Sequence, residues 1–219
     1  MDLRPLFNVG ITIAMSGSTT PAQIDAMKAE ASLLWKPYGV VLTWFDRADD
    51  CSFTDTHPWI TPVDTLINIV ADGPGGESGV RPGPSMQGRD VQTLRLGNVR
   101  FTDRGEVDRV VHLDLSHVQA MVVESSLGGV AIHTWPPPVR DRIIGRALGR
   151  VVAHELGHIL LAMPSHSHTG LMRATLSAAD LSTPGREHLT LTKAFVARLQ
   201  LRMVALRSSP DVTPTASRP

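Results

Sequence analysis

Residues 154–158 read His154-Glu155-Leu156-Gly157-His158, the pattern H-E-x-x-H, within an apolar stretch of helical periodicity. An α-helix advances about 100° per residue, so His154 and His158 lie one turn apart on the same face. Two imidazoles at this spacing can bind one metal ion. Glu155 lies at the flank of that face, where it can reach a water molecule on the metal without being a ligand. The pattern is typical of zinc hydrolases, in which two histidines bind zinc and a glutamate is the general base.

A metal site explains this pentapeptide better than chance does. The chain has nine histidines and six glutamates in 219 residues, and a shuffled chain of this composition would contain the motif with a probability of about one in a hundred. The motif also lies among apolar residues, where two imidazoles and a carboxylate are costly without partners. A bound metal would satisfy all three groups. The alternative is a metal-free globular domain whose motif is accidental.

Length and composition predict a single globular domain. A chain of 219 residues is long enough to bury a core without disulfides, and we expect one domain over residues 1–206. Residues 207–219 are polar and contain three prolines, which predicts a disordered C-terminal tail. The formal net charge is zero, which argues against a nucleic-acid partner. The single cysteine, Cys51, excludes an intrachain disulfide and a cysteine-rich zinc site.

No membrane span is expected, because no run of about eighteen apolar residues occurs. The first fifteen residues fit a strand better than a signal peptide, since polar residues and glycine interrupt their apolar stretch. The compartment stays open between the cytoplasm and secretion with a removed signal. The oligomeric state is also open.

The hydrophobic periodicity predicts an α+β fold with an α/β-like N-terminal part. A strand, a helix and a second strand follow each other at a length that suggests a βαβ unit with parallel pairing. The predicted elements are strand Val9–Ala14, helix Pro21–Trp35, strands Val40–Phe45, Leu66–Val70, Gln92–Phe101 and Val107–Leu115, and helices Ser116–Val123, Val139–Ala162 and Thr190–Leu206.

Two features of this organisation bear on a site. The Gly- and Pro-rich segment 72–90 is too long for a plain turn, and it is either a surface excursion or the rim of a substrate site. In the long helix, Arg142, Arg146 and Arg150 recur at every fourth position, which predicts a solvated face. The same helix contains three glycines, whose cost we expect close packing against the sheet to offset.

From His154 to Met172 the sequence reads HELGHILLAMPSHSHTGLM, which resembles the metzincin zinc peptidases. It looks most like similar stretches in uncharacterised bacterial peptidase-like proteins. The resemblance implies a zincin-like mixed twisted sheet, a long active-site helix and a C-terminal helix. It also implies zinc ligands at His154, His158 and a third histidine, Glu155 as catalytic residue, and Met172 in a methionine turn beneath the metal.

The third ligand departs from the family pattern. Leu161 stands where metzincins have a glycine, and Pro164 stands where their third histidine falls. His166 is favoured because it keeps the His-Ser register of the resemblance, which implies a longer turn before the third ligand. His168 is the alternative, and Glu187 is a further candidate, at the spacing of a thermolysin-like glutamate ligand. We expect the remaining histidines to be surface or satisfied side chains: His57, His112, His117, His133 and His188.

The function that follows is zinc-dependent hydrolysis of a peptide or protein substrate. Zinc activates a water molecule, and Glu155 takes its proton and delivers it to the leaving amine. Apart from the metal no cofactor is expected. Two alternatives stay open: a zinc-binding protein without peptidase activity, and a zinc hydrolase acting on a non-peptide substrate. An intact Glu155 argues against the first, because a structural zinc site needs no general base.

Overall fold

The computed structural model describes residues 7–15, 19–45, 63–72 and 96–208. Seven strands and five α-helices lie within these ranges. Their bounds are β1 Phe7–Met15, α1 Pro21–Trp35, β2 Val40–Phe45, β3 Thr65–Asp72, β4 Gly97–Phe101, β5 Val107–Asp114, α2 Leu115–Val123, β6 Ser126–Leu127, β7 Val130–Ala131, α3 Pro137–Leu161, α4 Ala178–Ser182 and α5 Lys193–Ser208.

A five-stranded sheet has the strand order β2-β1-β3-β5-β4. Strands β1, β2, β3 and β5 are parallel, and β4 pairs antiparallel with β5 at the edge. The first two strands pair in parallel from Phe7 opposite Val40, joined through α1, which confirms the predicted βαβ unit. The mixed sheet and the long helix α3 confirm the predicted fold class.

Helices α1 and α3 pack closely because α3 lacks side chains where they meet. A Cβ atom at Gly149 would lie 2.7 Å from the carbonyl oxygen of Met27, and one at Gly145 would overlap the carbonyl oxygen of Gln23. The expectation that these glycines pack against the sheet is therefore wrong, since their neighbours belong to α1. Alanine at either position would force the two helix backbones apart.

The arginine row of α3 is not a solvated face. Arg150 is fully buried, and its Nε donates to Oε1 of Glu30 at 2.8 Å. Arg146 is half-buried and donates to the carbonyl oxygen of Ser182 at 2.9 Å. Only Arg142 among the three is exposed as predicted. Periodicity detected the shared face, but the sequence does not reveal that α1 carries a buried glutamate opposite it.

Other differences are local. The hairpin of β6 and β7 and the short helix α4 were not predicted, because elements of two to five residues are too short for a periodic signal. The C-terminal helix runs to Ser208, two residues into the predicted tail, and residues 209–219 lie outside the described residues. Cys51, His57, most of segment 72–90 and residues 92–95 also lie outside them. None of the described helices has the length and apolar character needed to cross a bilayer.

Candidate metal centre

Helix α3 carries the motif and ends one turn beyond it. Pro137 occupies the first turn of the helix, where a missing N–H costs nothing. Ala162 stops the helix in the left-handed conformation, with φ of 47°, a conformation that non-glycine residues rarely adopt. Arg198 of α5 donates to the carbonyl oxygens of Leu161 and Ala162 at 2.6 and 3.0 Å, which satisfies the helix end. The chain then turns back across the face that carries His154 and His158.

Backbone carbonyls fix the orientation of both motif histidines. Nδ1 of His154 lies 2.8 Å from the carbonyl oxygen of Leu171, and Nδ1 of His158 lies 2.9 Å from that of Met163. A carbonyl oxygen only accepts, so each ring donates from Nδ1 and keeps a lone pair on Nε2. The two Nε2 atoms lie 3.2 Å apart. The two lone pairs therefore converge on one point.

His166 completes the cluster from the turn after the helix. Its ring stacks on that of His154 with centroids 5.4 Å apart and meets the ring of His158 edge-on at 4.9 Å. One nitrogen from each of the three rings lies within 4.8 Å of the others. Across the described ranges, neither His168 nor Glu187 belongs to this cluster. Unlike the two motif histidines, His166 is exposed.

Burial keeps the motif histidines neutral. It lowers the pKa of His154 to about 4, although the hydrogen bond to Leu171 acts in the opposite direction. The pKa of His158 is also lowered, again mainly by burial. Neutral imidazoles are the form that binds a metal, so His154 and His158 need no deprotonation at neutral pH.

These donors fit a zinc ion. Zinc–nitrogen bonds of about 2.0–2.1 Å at tetrahedral angles place two ligand nitrogens roughly 3.3 Å apart, close to the 3.2 Å between the two Nε2 atoms. Without a cation between them, two lone pairs would face each other in a buried site. Three imidazoles are a ligand set that zinc takes in catalytic sites, leaving a fourth position for water or substrate.

Glu155 lies beside the cluster and against the edge strand β4. Its exposed fraction is 6%. A Cβ atom at Gly97 of β4 would lie 3.0 Å from Cγ and 3.1 Å from Oε1 of Glu155. The carboxylate thus occupies space that any other residue at position 97 would fill. Gly97 was not singled out from the sequence, although a glycine within a predicted strand is a signal of close approach.

A tight turn at residues 170–172, the methionine turn, places Met172 against Gly157 of the motif. Gly170 has φ of 80°, and a Cβ atom there would overlap the carbonyl oxygen of Thr190. Met172 is fully buried, and its Sδ and Cε lie where a side chain at Gly157 would be, with Cε 2.8 Å from that Cβ position. The glycine of the motif therefore makes room for the methionine. The carbonyl oxygen of Met172 accepts from the backbone N–H of Ser167 at 2.8 Å, which connects the segment that carries His166 to the turn.

A cavity of about 660 Å³ opens above the cluster and Glu155. Strand β4 lines one part of it, and the segment 173–176 after Met172 lines another. Its larger apolar lining residues are Leu96, Val99, Phe101, Met121, Val151 and Leu176. The only tyrosine, Tyr38, is engaged elsewhere, since its hydroxyl accepts from the backbone N–H of Leu191 at 2.7 Å.

No protein-family model matches the sequence, and no curated protein matches it either. Among solved structures, the chain is similar to the crystal structure of archaemetzincin from Methanopyrus kandleri, with 11% sequence identity and a TM-score of 0.44. The alignment covers 91% of this chain and 96% of that chain. A likeness this distant assigns no activity, so the function must be argued from the side chains of this chain.

Proposed function

We propose that the chain is a zinc-dependent endopeptidase of metzincin type, with His154, His158 and His166 as zinc ligands and Glu155 as general base. The observation that carries the proposal is the convergence of two Nε2 lone pairs across 3.2 Å, each enforced by a carbonyl oxygen on the opposite ring nitrogen. A structural site would use a fourth protein ligand and no carboxylate beside it. Here a buried glutamate and a cavity adjoin the three imidazoles.

Each residue of the proposed site has a distinct role in hydrolysis. A zinc ion held by His154, His158 and His166 would act as a Lewis acid, lowering the pKa of a bound water and polarising a carbonyl group. The carboxylate of Glu155 accepts the proton of the attacking water and passes it to the leaving amine nitrogen. The carbonyls of Leu171 and Met163 hold the rings of His154 and His158 in one tautomer, which keeps their Nε2 atoms directed inward. Among the described strands, β4 lies at the edge of the sheet, where an extended peptide would pair with its outer backbone groups.

The test is the isosteric substitution Glu155→Gln. We expect it to retain one zinc per chain and to lower kcat on an unfolded protein substrate by at least about 100-fold, the usual contribution of a general base. Zinc content is measured by elemental analysis and cleavage by mass spectrometry of the products, with chelator-treated wild type as the metal-free reference. Hydrolysis that continues undiminished would remove Glu155 from the chemistry. If the purified protein does not bind zinc, the proposed zinc site is wrong.

The exposed residue Glu124, directly after α2, provides a matched control, since Glu124→Gln makes the same chemical change at a residue that does not line the cavity. It should hydrolyse the substrate at the wild-type rate. A zinc-loaded wild type that cleaves no peptide in a broad peptide mixture, but hydrolyses esters or amides of small molecules, would favour the non-peptide alternative. Zinc binding with no hydrolysis of any kind would favour a binding module.

A further inference from the structure

Arg173 brings a positive charge to the cavity wall immediately after Met172. It lines the same cavity as His154 and Glu155, and its side chain is 26% exposed. Among the lining residues within the described ranges, it is the one arginine or lysine, and Glu155 is the one carboxylate. Most of the remaining lining is apolar. A guanidinium in such a wall is costly unless acceptors face it.

Asp180, the residue that pairs with this arginine, is already shared among several donors. Oδ2 of Asp180 forms the ion pair with Nη2 of Arg173 and also accepts from the backbone N–H of Ser177 at 2.8 Å and from its hydroxyl at 2.5 Å. Oδ1 lies 3.5 Å from Nε2 of His188. The carboxylate therefore caps helix α4 and meets a second basic group as well. It cannot accept from all the donors that Arg173 offers.

Arg173 therefore retains unused donors. A guanidinium has five N–H groups in a planar fork, and Asp180 contacts one of its nitrogens. Nε is buried and makes no hydrogen bond within the part of the chain that the structure describes. A buried donor that loses water without gaining an acceptor costs about 1–3 kcal/mol. The part of the side chain that stays exposed lines the cavity, where a ligand with a negative charge would lower the cost of holding this cation in the wall.

We propose that Arg173 binds a carboxylate of the substrate beside the scissile bond, so that the enzyme prefers substrates with an acidic group there. This inference rests on the proposed peptidase function. Hydrogen bonds between a guanidinium and a carboxylate are charge-assisted and therefore strong, and most of the cavity lining beside Arg173 is apolar. Repulsion from Glu155 keeps the substrate's negative charge at the Arg173 wall and away from the general base. The carboxylate is either an aspartate or glutamate side chain or the C-terminal carboxylate of the substrate.

The first experiment compares cleavage of matched peptides by the zinc-loaded protein. One set varies a single position next to the cleavage site among glutamate, glutamine and lysine in amidated peptides. A second set compares neutral peptides that end in a free carboxylate or an amide. We expect wild type to favour one acidic form over its neutral counterpart by roughly 10- to 100-fold in kcat/KM. The set that shows the preference identifies the source of the carboxylate, and cleavage without preference in either set overturns the proposal.

Variants of Arg173 assign the preference to this residue. Arg173→Gln should lower kcat/KM for the acidic peptides more than for their neutral counterparts and so abolish the acidic preference. Arg173→Lys should retain a reduced preference, because it keeps the charge without the guanidinium. Arg142→Gln removes the same charge from an exposed position on α3 and should keep the full preference. Equal loss on acidic and neutral peptides in Arg173→Gln would mean a structural role and would overturn the proposal. If Arg173→Gln does not fold, the lysine variant and the wild-type profile decide.

Binding measurements separate this inference from the proposed function. In the zinc-loaded Glu155→Gln background, both labelled pairs are titrated and followed by fluorescence anisotropy: glutamate against glutamine peptides, and neutral peptides with a free carboxylate against the same peptides with a terminal amide. In one of the two pairs the acidic form should bind roughly tenfold more tightly, and Arg173→Gln should remove the difference. A protein that hydrolyses peptides but shows no such difference retains the proposed function and loses this inference. A protein that binds acidic peptides through Arg173 without hydrolysing any peptide retains the carboxylate site and loses the peptidase function.

Discussion

Each motif histidine depends on a backbone carbonyl that comes from a different stretch of chain. The carbonyl of Met163, directly after the helix, orients His158, and the carbonyl of Leu171 in the methionine turn orients His154. Loss of such an outer hydrogen bond usually costs 10- to 100-fold in metal affinity. The turn after α3 therefore orients the histidine cluster through its backbone and also contributes His166 to it. A change in the path of the turn would affect all three rings together.

His166 is expected to bind the metal, because its ring meets those of both motif histidines. His166→Ala should weaken zinc binding by more than the roughly 10- to 100-fold that loss of an outer hydrogen bond costs. Competition against a chromophoric chelator measures the affinity. His168→Ala is the matched control, since His168 is also exposed but outside the cluster, and its zinc affinity should equal that of wild type. The reverse result would transfer the third ligand to His168.

Burial of His154 makes the stability of the metal-free protein depend on pH. Because the pKa of His154 falls from 6.5 to about 4 on folding, the unfolded chain binds a proton between these values that the folded chain does not. The free energy of unfolding is therefore unaffected by this group above pH 6.5, and it decreases as the pH falls towards 4, because protonation favours the unfolded chain. Each pKa unit corresponds to about 1.4 kcal/mol, so the loss approaches about 3 kcal/mol. His158 acts in the same direction.

Urea unfolding of chelator-treated protein at several pH values measures this effect. The free energy of unfolding of wild type should decrease from pH 6.5 to 4, and the decrease should be smaller in His154→Gln. His133→Gln is the control, because His133 is exposed on a turn before α3. Equal slopes in wild type and His154→Gln would contradict a neutral, buried His154.

The spacing of His154, Glu155 and His158 was enough to predict that the two histidines share a helix face with the glutamate beside them. Sequence reasoning ranked His166 above His168 for the third ligand through a family register, and the assignment stays a proposal. The role of Gly97 was missed, since it depends on where β4 meets α3. Arg173 was missed because nothing local marks an arginine that lines a cavity built from distant segments.

Neighbouring elements meet in this fold at glycines. Gly145 and Gly149 admit the backbone of α1, and Gly157 admits the side chain of Met172 from the turn. The three glycines lower the helix propensity of α3, and the close contacts that they permit on two sides of the helix offset this loss. Periodicity predicted the existence and bounds of α1 and α3 to within a few residues. It did not predict what each glycine faces, because that depends on packing between elements.

Gly157→Ala tests the contact with the methionine turn. In an exposed helix this change would stabilise by up to about 1 kcal/mol. Here the new methyl group would overlap Sδ and Cε of Met172, and we expect a net loss of about 1–3 kcal/mol, as in other overpacked cores. Denaturant unfolding of the metal-free protein measures the loss, and a chelator competition shows whether zinc affinity falls with it.

The double variant Gly157→Ala with Met172→Ala is the control for this prediction. Without the Met172 thioether, the methyl group of alanine at position 157 has room. The double variant should therefore have the same free energy of unfolding as Met172→Ala alone, or a higher one. If the Gly157→Ala variant is as stable as wild type, Met172 does not pack tightly against the helix at position 157.

An ion-pair network centred on the buried Glu30 joins three segments that are far apart in sequence. Glu30 of α1 accepts from Nε of Arg150 in α3 at 2.8 Å and from Nη2 of Arg186 at 2.6 Å. Arg150 also donates to the carbonyl oxygens of Asp180 and Gly185, so it holds the segment that follows the methionine turn. The sequence could not predict this network, because its members are 120 and 156 positions apart. The helical pattern located the arginines but not their partner.

Breaking this network should destabilise the whole fold. Glu30→Gln removes the counter-charge of Arg150, which is fully buried, while Glu30 itself is only 3% exposed. Leaving such a charge unpaired costs about 3–5 kcal/mol. For a domain of this size each kcal/mol corresponds to roughly 2–4 °C, so Tm should fall by about 10 °C in calorimetry of the metal-free protein. Arg142→Gln, at the exposed position of the same helix, should change stability by less than about 0.5 kcal/mol.

Most of this cost should come from Arg150, because Arg186 is 40% exposed and can be hydrated when its partner is lost. Glu30→Gln should therefore remain strongly destabilising in an Arg186→Gln background. The loss of stability should be smaller in an Arg150→Met background, because no buried positive charge is then left without a partner. A cost below about 1 kcal/mol in the wild-type background would contradict a structural role for the network. A cost that vanishes in the Arg186→Gln background would assign the interaction to the exposed pair instead.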